Sequence, residues 1–477
     1  MGFGKKKIIL IVLSAVIAVV LGLGGLFGGS YLTYAYQKRA LIILPGLFGS
    51  GLYDTETGDY IWDNFEGLEN VSFSTVMNAD GINLAGVLGL IRNKVVQEEL
   101  GKIMANGGVG EPDSLLNMIA MNPDGTSTIP TIERVPWSDQ SRWRYGVINA
   151  QKDMWESLYN RYGDVYDVQI FNYDFRKDTR YNADKLEEYI DEMKYTEVIL
   201  AAHSNGGPVV ATYLAKSEKN RKKVSKFVSY HSPLLGSVAG ISILENVNGM
   251  IAGVKDAISG LGISALEGLS NNIDSVFTNQ FLSLVNMWTP YQLLPSYEVF
   301  NTEFQGELAG IYLDGERMDF ESQQELWEFY CTRPWAKLEG GDLRPPMEQW
   351  LESRDAMYVT QKDGSKIFST KLVDTTYING SGKAGGYKIY YVTNPMTGDV
   401  ILDHMEDSLK GDGVVLSVSA TVGDFDPENT QYFEGHDHYA ILYDYENVAE
   451  AISYEVLDEA VLNSFNALEK LWYPARA

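Results

Sequence analysis

The sequence predicts an α/β fold built on a mostly parallel central sheet with helices on both faces. Short apolar runs at 40–44, 198–202 and 227–230 have the length and composition of buried central strands. Charged segments with helical spacing lie around 183–193 and 209–223, each directly before one of the later runs. Strands that alternate with helices in this way are typical of a parallel sheet covered on both faces.

Two long regions do not follow this alternation. Residues 52–145 are rich in Gly, Asn and Asp, and residues 237–370 combine amphipathic segments with many aromatic residues. We interpret 52–145 as a lid insertion and 237–370 as a cap insertion within a catalytic domain spanning 38–477, with a further strand at 375–378. Apolar residues recur every three or four positions from 243 to 261, which predicts either a packed cap helix or a lipid-contacting lid.

Charge and cysteine content exclude several classes of protein. The formal net charge is −26, and residues 1–39, with five basic residues and no acid, contribute +5, which leaves −31 for the remainder. Such an acidic body repels phosphate backbones, so no nucleic-acid partner is expected. Cys331 is the single cysteine, so no intrachain disulfide can form. No Cys/His spacing indicates a metal site, and no protein partner is indicated.

The first 37 residues resemble a membrane anchor. Three lysines, Lys5–Lys7, precede the apolar stretch Ile8–Phe27, whose length of about 20 residues suffices to span a bilayer as a helix. The basic residues before the span predict a cytoplasmic N-terminus and an extracellular catalytic domain attached by a single-pass transmembrane helix. The alternative is a cleaved signal peptide with Ala35 as the best cleavage point, which would give a secreted protein.

The segment at 202–207, Ala-His-Ser-Asn-Gly-Gly, is the strongest candidate for a reactive site. It lies between the second predicted strand and a helix expected to begin near Pro208, the strand–turn–helix context in which a nucleophile elbow presents its serine. A turn this tight needs small residues on both sides, and Ala202 and Gly206 supply them. We therefore predict Ser204 as a nucleophile; the alternative is a serine in an ordinary strand–helix turn.

A serine hydroxyl requires a base, and the chain order expected with this elbow is serine, acid, histidine. His203 lies on the elbow itself and cannot turn back to Ser204. His231 ends the strand after the nucleophile helix, too early for the base, so a pocket-lining or loop role is expected. We predict His438 as the base, with His436 as the alternative.

The acid is expected between the serine and the base. Asp412 follows a turn-rich segment and is flanked by Gly411 and Gly413, so its carboxylate can turn toward a neighbouring imidazole. We predict Asp412 as the orienting acid. His404 precedes it and is expected on the surface or in a hairpin.

The tetrahedral intermediate of acyl transfer needs two backbone N–H donors. Asn205, directly after the predicted nucleophile, supplies one. The other is expected from Leu47 in the glycine-rich loop 45–51 after the first strand. A glycine loop after a strand can also bind phosphate, but the spacing fits neither the dinucleotide fingerprint nor the P-loop.

These blocks together resemble the lecithin:cholesterol acyltransferase family of α/β-hydrolases, which includes lysosomal phospholipase A2 and phospholipid:diacylglycerol acyltransferases. The resemblance covers roughly residues 40–450, and the order of the separate blocks carries it. The matching blocks are the first-strand loop 44–52, Tyr-Asp-Phe-Arg at 173–176, the elbow 202–207, Ser-Pro-Leu-Leu-Gly-Ser at 232–237, Tyr-Gln-Leu-Leu-Pro at 291–295, the acid region at 379–382 and 411–413, and the histidine region 435–442.

The resemblance implies acyl transfer from a lipid ester to water or an alcohol, with no metal or organic cofactor. It places Leu47 at the donor position and favours His438 over His436. Ala202 and Asn205 depart from the glycine and the Met or Leu that are usual in the family, and the family's lid disulfide cannot form. Two alternatives stay open: a serine hydrolase of a non-lipid ester or amide, and a non-catalytic surface module.

Overall fold

The computed structural model describes residues 38–47, 49–62, 77–78, 81–82, 118–137, 149–163, 166–245 and 285–439. Its strands are β1 (Arg39–Leu44), β2 (Leu52–Asp54), β3 (Tyr60–Trp62), β4 (Met77–Asn78), β5 (Gly81–Ile82), β6 (Ile132–Arg134), β7 (Asp167–Ile170), β8 (Glu197–His203), β9 (Val224–Tyr230), β10 (Gly310–Leu313), β11 (Glu316–Met318), β12 (Tyr358–Thr360), β13 (Lys366–Phe368), β14 (Thr375–Ser381), β15 (Gly385–Thr393), β16 (Val400–Ser408) and β17 (Thr430–Glu434).

Helices connect and flank these strands. They are α1 (Asn149–Tyr162), α2 (Thr179–Glu192), α3 (Gly206–Lys216), α4 (Glu218–Lys223), α5 (Val238–Glu245), α6 (Thr289–Gln292), α7 (Tyr297–Asn301), α8 (Gln323–Thr332), α9 (Pro345–Glu348), α10 (Trp350–Asp355) and α11 (Ser417–Ala420), with 3-10 turns at Pro334–Ala336 and Ser369–Leu372.

Six strands form the central sheet, in the order β17-β14-β9-β8-β1-β7. Each neighbouring pair is parallel. The four strands predicted from apolar runs are β1, β8, β9 and β14 of this sheet, so the predicted α/β fold with a mostly parallel sheet is confirmed. Parallel strands share one carboxyl edge, and the loops that leave this edge therefore lie close together.

Both faces of the sheet are buried, which explains why its strands are continuous apolar runs instead of alternating ones. In β1, Ile42 packs in a cluster with residues of α2 and α3, such as Leu186 and Val209. Its neighbour Ile43 points to the other face and packs in a cluster with Leu158 of α1. The successive side chains of one strand thus fill two separate helix–sheet layers.

A second sheet, in the order β11-β10-β15-β16, accompanies the helices between β9 and β14. Its antiparallel pair β15–β16 is a hairpin that follows β14, so part of this layer lies beyond the predicted cap limit of residue 370. The extents of the lid at 52–145 and the cap at 237–370 remain predictions. Most of the apolar stripe at 243–261 lies outside the described residues.

No helix within the described ranges is long and apolar enough to cross a membrane. The predicted anchor at 1–37 lies outside those ranges.

Candidate active site

The predicted site residues gather at the carboxyl edge of the central sheet. Ser204 follows β8 directly, and His231 follows β9. Asp412 lies in the loop after β16, and His438 in the segment after β17. In open parallel sheets this edge is where ligands bind, because the loops from several strands meet there.

Ser204 occupies a sharp turn between β8 and α3. Its φ angle is 49°, in the left-handed region that few side chains adopt, and its N–H donates to the carbonyl oxygen of Tyr230 at 3.2 Å. A side chain at Gly206 would place its first carbon 2.8 Å from the carbonyl oxygens of Leu44 and Pro45. The small residue expected at this position is therefore needed because β1 passes so close to the turn.

Ser204, His438 and Asp412 form a continuous chain of hydrogen bonds. Ser204 Oγ lies 2.8 Å from His438 Nε2, and His438 Nδ1 lies 2.8 Å from Asp412 Oδ2. The three residues are 8%, 3% and 2% exposed, respectively. Since a carboxylate only accepts hydrogen bonds, Nδ1 carries the ring proton, which leaves Nε2 free to accept one from the serine hydroxyl.

The Asp412 carboxylate is held on both oxygens. Oδ1 accepts hydrogen bonds from the backbone N–H groups of Val414 at 2.9 Å and Val415 at 2.7 Å. Burial acts to raise the pKa of Asp412, but His438 and His231 outweigh it and hold the pKa far below its usual range. Asp412 is therefore ionised in the folded protein at neutral pH.

His231 also reaches the acid, which the sequence did not indicate. Its Nδ1 lies 2.9 Å from Asp412 Oδ2, and its ring centroid lies 5.9 Å from that of His438. Its φ angle is 52°, so its backbone too is left-handed. The sequence predicts a pocket-lining or loop role for this residue, because the positive φ and the contact with Asp412 depend on how distant segments pack in three dimensions.

His203 supports the His438 segment instead of facing the serine. Its Nε2 lies 3.0 Å from the carbonyl oxygen of His438 and donates to it, since a carbonyl only accepts. Burial, followed by repulsion from His438 and His231, holds the pKa of His203 well below its usual value. A neutral His203 thus fixes the backbone that carries the imidazole of His438.

The remaining histidines lie apart from this chain of hydrogen bonds. The ring of His436 stacks on Phe433, with centroids 5.5 Å apart. His404 lies in β16 of the hairpin, half exposed and stacked on Tyr390. The structure therefore brings together Ser204 and His438, as expected, and places His404 in a hairpin.

The loop that carries Leu47 lies against the elbow. A side chain on Gly46 would reach within 2.9 Å of Ser204 Cβ. The hydroxyl of Tyr173 donates to the carbonyl oxygen of Pro45 at 2.8 Å and accepts from the Asn205 side-chain amide at 3.3 Å. One buried phenol therefore links the loop to the residue after Ser204, a role that the Tyr-Asp-Phe-Arg motif alone did not reveal.

The same motif carries a buried ion pair. Arg176 Nε and Nη2 donate to the two carboxylate oxygens of Asp174 at 2.9 and 2.8 Å, and Nη2 also donates to the carbonyl oxygen of Ile132 at 2.8 Å. Burial acts to raise the pKa of Asp174, but Arg176 outweighs it and lowers the pKa. This pair fastens the segment after β7, and hence Tyr173, to the β2–β6 layer.

The imidazole–carboxylate cluster does not have the spacing of a metal centre. One potential metal-ligand atom from each of three side chains lies within 4.8 Å of the other two; the residues are His231, Asp412 and His438. However, the Nδ1–Oδ2 distances are 2.8 and 2.9 Å. A tetrahedral zinc ion would hold its ligand atoms about 3.3 Å apart, so these contacts match hydrogen bonds and not coordination.

The central sheet and the site at its carboxyl edge define an α/β protein with a serine, a histidine and an aspartate joined by hydrogen bonds. The sequence model of the lecithin:cholesterol acyltransferase family matches residues 137–378, slightly more than half of the chain. The chain belongs to this family, which places it among acyltransferases and lipase-type enzymes. The matched region includes Ser204 and ends before Asp412 and His438.

One similar solved structure is the crystal structure of the Tle4–Tli4 complex. Its TM-score is 0.51 at 12% sequence identity, and the match covers 88% of this chain and 99% of that chain. At this identity the similarity concerns the fold alone. No curated protein sequence matches the chain.

Proposed function

We propose that this protein is a serine-dependent acyl hydrolase or acyltransferase that acts on a lipid ester through an acyl-enzyme on Ser204. The observation that carries the proposal is the pair of 2.8 Å contacts that join Ser204 to His438 and His438 to Asp412. Family membership supports the substrate class, because the family is that of lecithin:cholesterol acyltransferase. We also propose that the reaction uses no resident metal or organic cofactor.

The first half-reaction transfers the acyl group to the enzyme. His438 Nε2 takes the hydroxyl proton of Ser204 while Oγ attacks the ester carbonyl carbon. The negative charge that develops on the carbonyl oxygen is received by the backbone N–H groups of Asn205 and Leu47. The carbon–oxygen bond to the leaving alcohol then breaks, and His438 returns its proton to that oxygen.

The second half-reaction releases the acyl group. Water or an acceptor alcohol loses its proton to His438 Nε2 as it attacks the acyl carbon, and the bond to Ser204 Oγ breaks with return of the proton to Oγ. Asp412, ionised throughout, keeps the imidazole in the tautomer with the proton on Nδ1 and stabilises the imidazolium that forms in each step. The two half-reactions together regenerate the free serine.

The proposal includes a location at the outer membrane surface. It rests on the sequence of residues 1–37, whose apolar stretch and flanking lysines are typical of a single-pass anchor. A body with net charge −31 is repelled by anionic lipid, so a tether would substitute for surface affinity. If the anchor is cleaved, the same domain would be secreted.

A product screen tests the substrate class. The full-length protein in detergent is incubated with phospholipids, neutral glycerides and peptide esters, with and without an added long-chain alcohol, and products are identified by mass spectrometry. Release of fatty acid or of an acylated alcohol from a lipid, absent with Ser204→Ala, supports the proposal. Turnover confined to peptide or other non-lipid substrates would assign the same site to a different hydrolase.

A further inference from the structure

We infer that His231 is a positioning residue that shares the Asp412 carboxylate with His438, so that one acid serves two buried imidazoles. The inference deepens the proposed function and rests on it, because it concerns the base that activates Ser204. It adds to the Ser–His–Asp arrangement a residue that acts through the acid.

The contact is short and sheltered from water. His231 is 1% exposed, and its Nδ1 lies 2.9 Å from the same Oδ2 atom that accepts from His438. The contact is bent, since the ring N–H does not point along the line to the oxygen well enough for a regular hydrogen bond. A bent contact is weaker than a regular hydrogen bond, but the low dielectric of a buried site preserves the attraction between the N–H dipole and the carboxylate charge.

The backbone holds His231 in this position. Its φ of 52° is a conformation that non-glycine residues adopt rarely, and its N–H donates to the carbonyl oxygen of Ile378 at 2.9 Å. Strained backbone persists only where surrounding structure determines it, and it gathers at functional sites. The strained residue here is the one that places an imidazole against the acid.

The surroundings keep His231 neutral. Burial lowers its pKa, and this effect outweighs the opposing attraction of Asp412. A neutral ring facing a carboxylate carries its proton on Nδ1, so His231 acts as a donor. The titratable groups around the two imidazoles are Asp412 after β16, His203 and Tyr230 at the ends of β8 and β9, and His436 and Tyr439 after β17.

The consequence concerns the pH dependence of the base. A second N–H on Oδ2 neutralises part of the negative charge that Asp412 offers to His438. Without that donor, the full charge would stabilise the imidazolium form of His438, which cannot accept the serine proton. Removal of His231 should therefore move the acid limb of the activity profile to higher pH.

The test compares two isosteric substitutions in the full-length protein. His231→Asn keeps an N–H donor and tolerates a positive φ, whereas His231→Leu has the same shape without the donor. The measured quantity is the second-order rate constant for labelling by a fluorophosphonate, from pH 4.5 to pH 9. This reaction reports the activated serine whatever the natural substrate is.

We expect the acid limb of His231→Leu to lie above that of the wild type by up to about one pH unit, the limit reached if the whole lost contact with the charged group, about 1.4 kcal/mol, is transmitted to His438. Below the limb this is up to about a ten-fold slower labelling. His231→Asn should stay closer to the wild type than His231→Leu. The exposed His404→Leu serves as control and should leave the profile unchanged.

An unmoved limb in His231→Leu, a limb moved to lower pH, or equal shifts in the Leu and Asn variants would overturn the inference. If His231→Leu does not fold, His231→Gly removes the imidazole and relieves the positive φ, and the same shift is expected of it. Ser204→Ala is the separate control for the proposed function: labelling that survives in it refutes the nucleophile and not the role of His231.

Discussion

The hydroxyl of Tyr173 donates to the carbonyl oxygen of Pro45 at 2.8 Å, across 128 residues of chain. The hydroxyl oxygen of Tyr173 also accepts a hydrogen bond from the side-chain amide of Asn205 at 3.3 Å. Leu47 and Asn205 are the two proposed oxyanion donors, and they come from different strands of the sheet. Tyr173 therefore sets the distance between two segments that must hold one oxygen atom together.

Tyr173→Phe should lower kcat about ten-fold on a soluble short-chain ester with little change in KM. The substitution leaves the buried Pro45 carbonyl and the Asn205 amide without this hydrogen-bond partner, at a cost of about 1–3 kcal/mol. Because the two oxyanion donors are then held less firmly, part of this free energy is lost from transition-state stabilisation and lowers kcat. Steady-state kinetics with a melting curve measure it. Tyr195→Phe, which removes a hydroxyl bonded to Asp167 away from the site, is the control. A kcat equal to that of the wild type would show that the link is structural only.

His438→Ala should reduce ester turnover as much as Ser204→Ala, by several powers of ten, whereas His436→Ala should be mild. Triad members act as a unit, so the double variant of Ser204 and His438 should be no slower than either single variant. The ring of His436 stacks on Phe433, whereas the hydrogen-bond chain from Ser204 runs through His438 to Asp412. The reverse ranking of the two histidines would move the base to His436.

Arg176→Ala should lower the free energy of unfolding by about 3 kcal/mol, because it leaves the buried Asp174 carboxylate with only the more distant Lys177, at 3.7 Å, as a cationic partner. Denaturant unfolding measures it, and Lys388→Ala, which breaks an ion pair with Glu406 on the surface, should cost less than about 1 kcal/mol. A loss at Arg176 as small as that at Lys388 would contradict the importance of the buried pair.

The same pair predicts a pH dependence of stability. The folded protein depresses the pKa of Asp174 below its ordinary value of 3.8. Its stabilising contribution is therefore complete above that value and is lost as the pH falls through the lower folded value. Between pH 6 and pH 3, the free energy of unfolding of Asp174→Asn should decrease less than that of the wild type. An equal decrease in both proteins would assign acid unfolding to other carboxylates.

Deletion of residues 1–37 should leave turnover of a soluble short-chain ester within about two-fold and reduce turnover of long-chain lipid in vesicles much more. The linker between the predicted span and β1 is residues 28–38, which reach roughly 40 Å at about 3.5 Å per extended residue, so the anchor would keep the domain close to the bilayer. The deficit should grow with anionic lipid or low salt. Equal vesicle turnover by both forms, at matched concentration, would contradict this part of the account.

The sheet and the elbow could be predicted because they depend on local patterns. The strands β1 and β8 are apolar runs that neighbouring residues already identify, and the small residues around Ser204 indicate a tight turn. The bond from His203 to the His438 backbone, at 235 residues' separation, and the contact of His231 with Asp412 depend on how distant loops meet. No pattern within one segment carries that information.

The second sheet depends on pairing between segments that are distant in sequence. The hairpin β15–β16 pairs with β10 from the earlier cap region, so one layer is assembled from segments on both sides of β14. A boundary such as 237–370 describes one continuous stretch of sequence. Strands can pair across any separation in sequence, so the pairing of β10 with β15 becomes visible only in the three-dimensional structure.

Ser204 is tested most directly as the nucleophile by locating the covalent adduct of a fluorophosphonate with peptide mass spectrometry. We expect one modified residue, Ser204, in the full-length protein, no adduct in Ser204→Ala, and much slower labelling in His438→Ala. An adduct on another residue, or labelling of Ser204→Ala at the wild-type rate, would show that Ser204 is not the nucleophile.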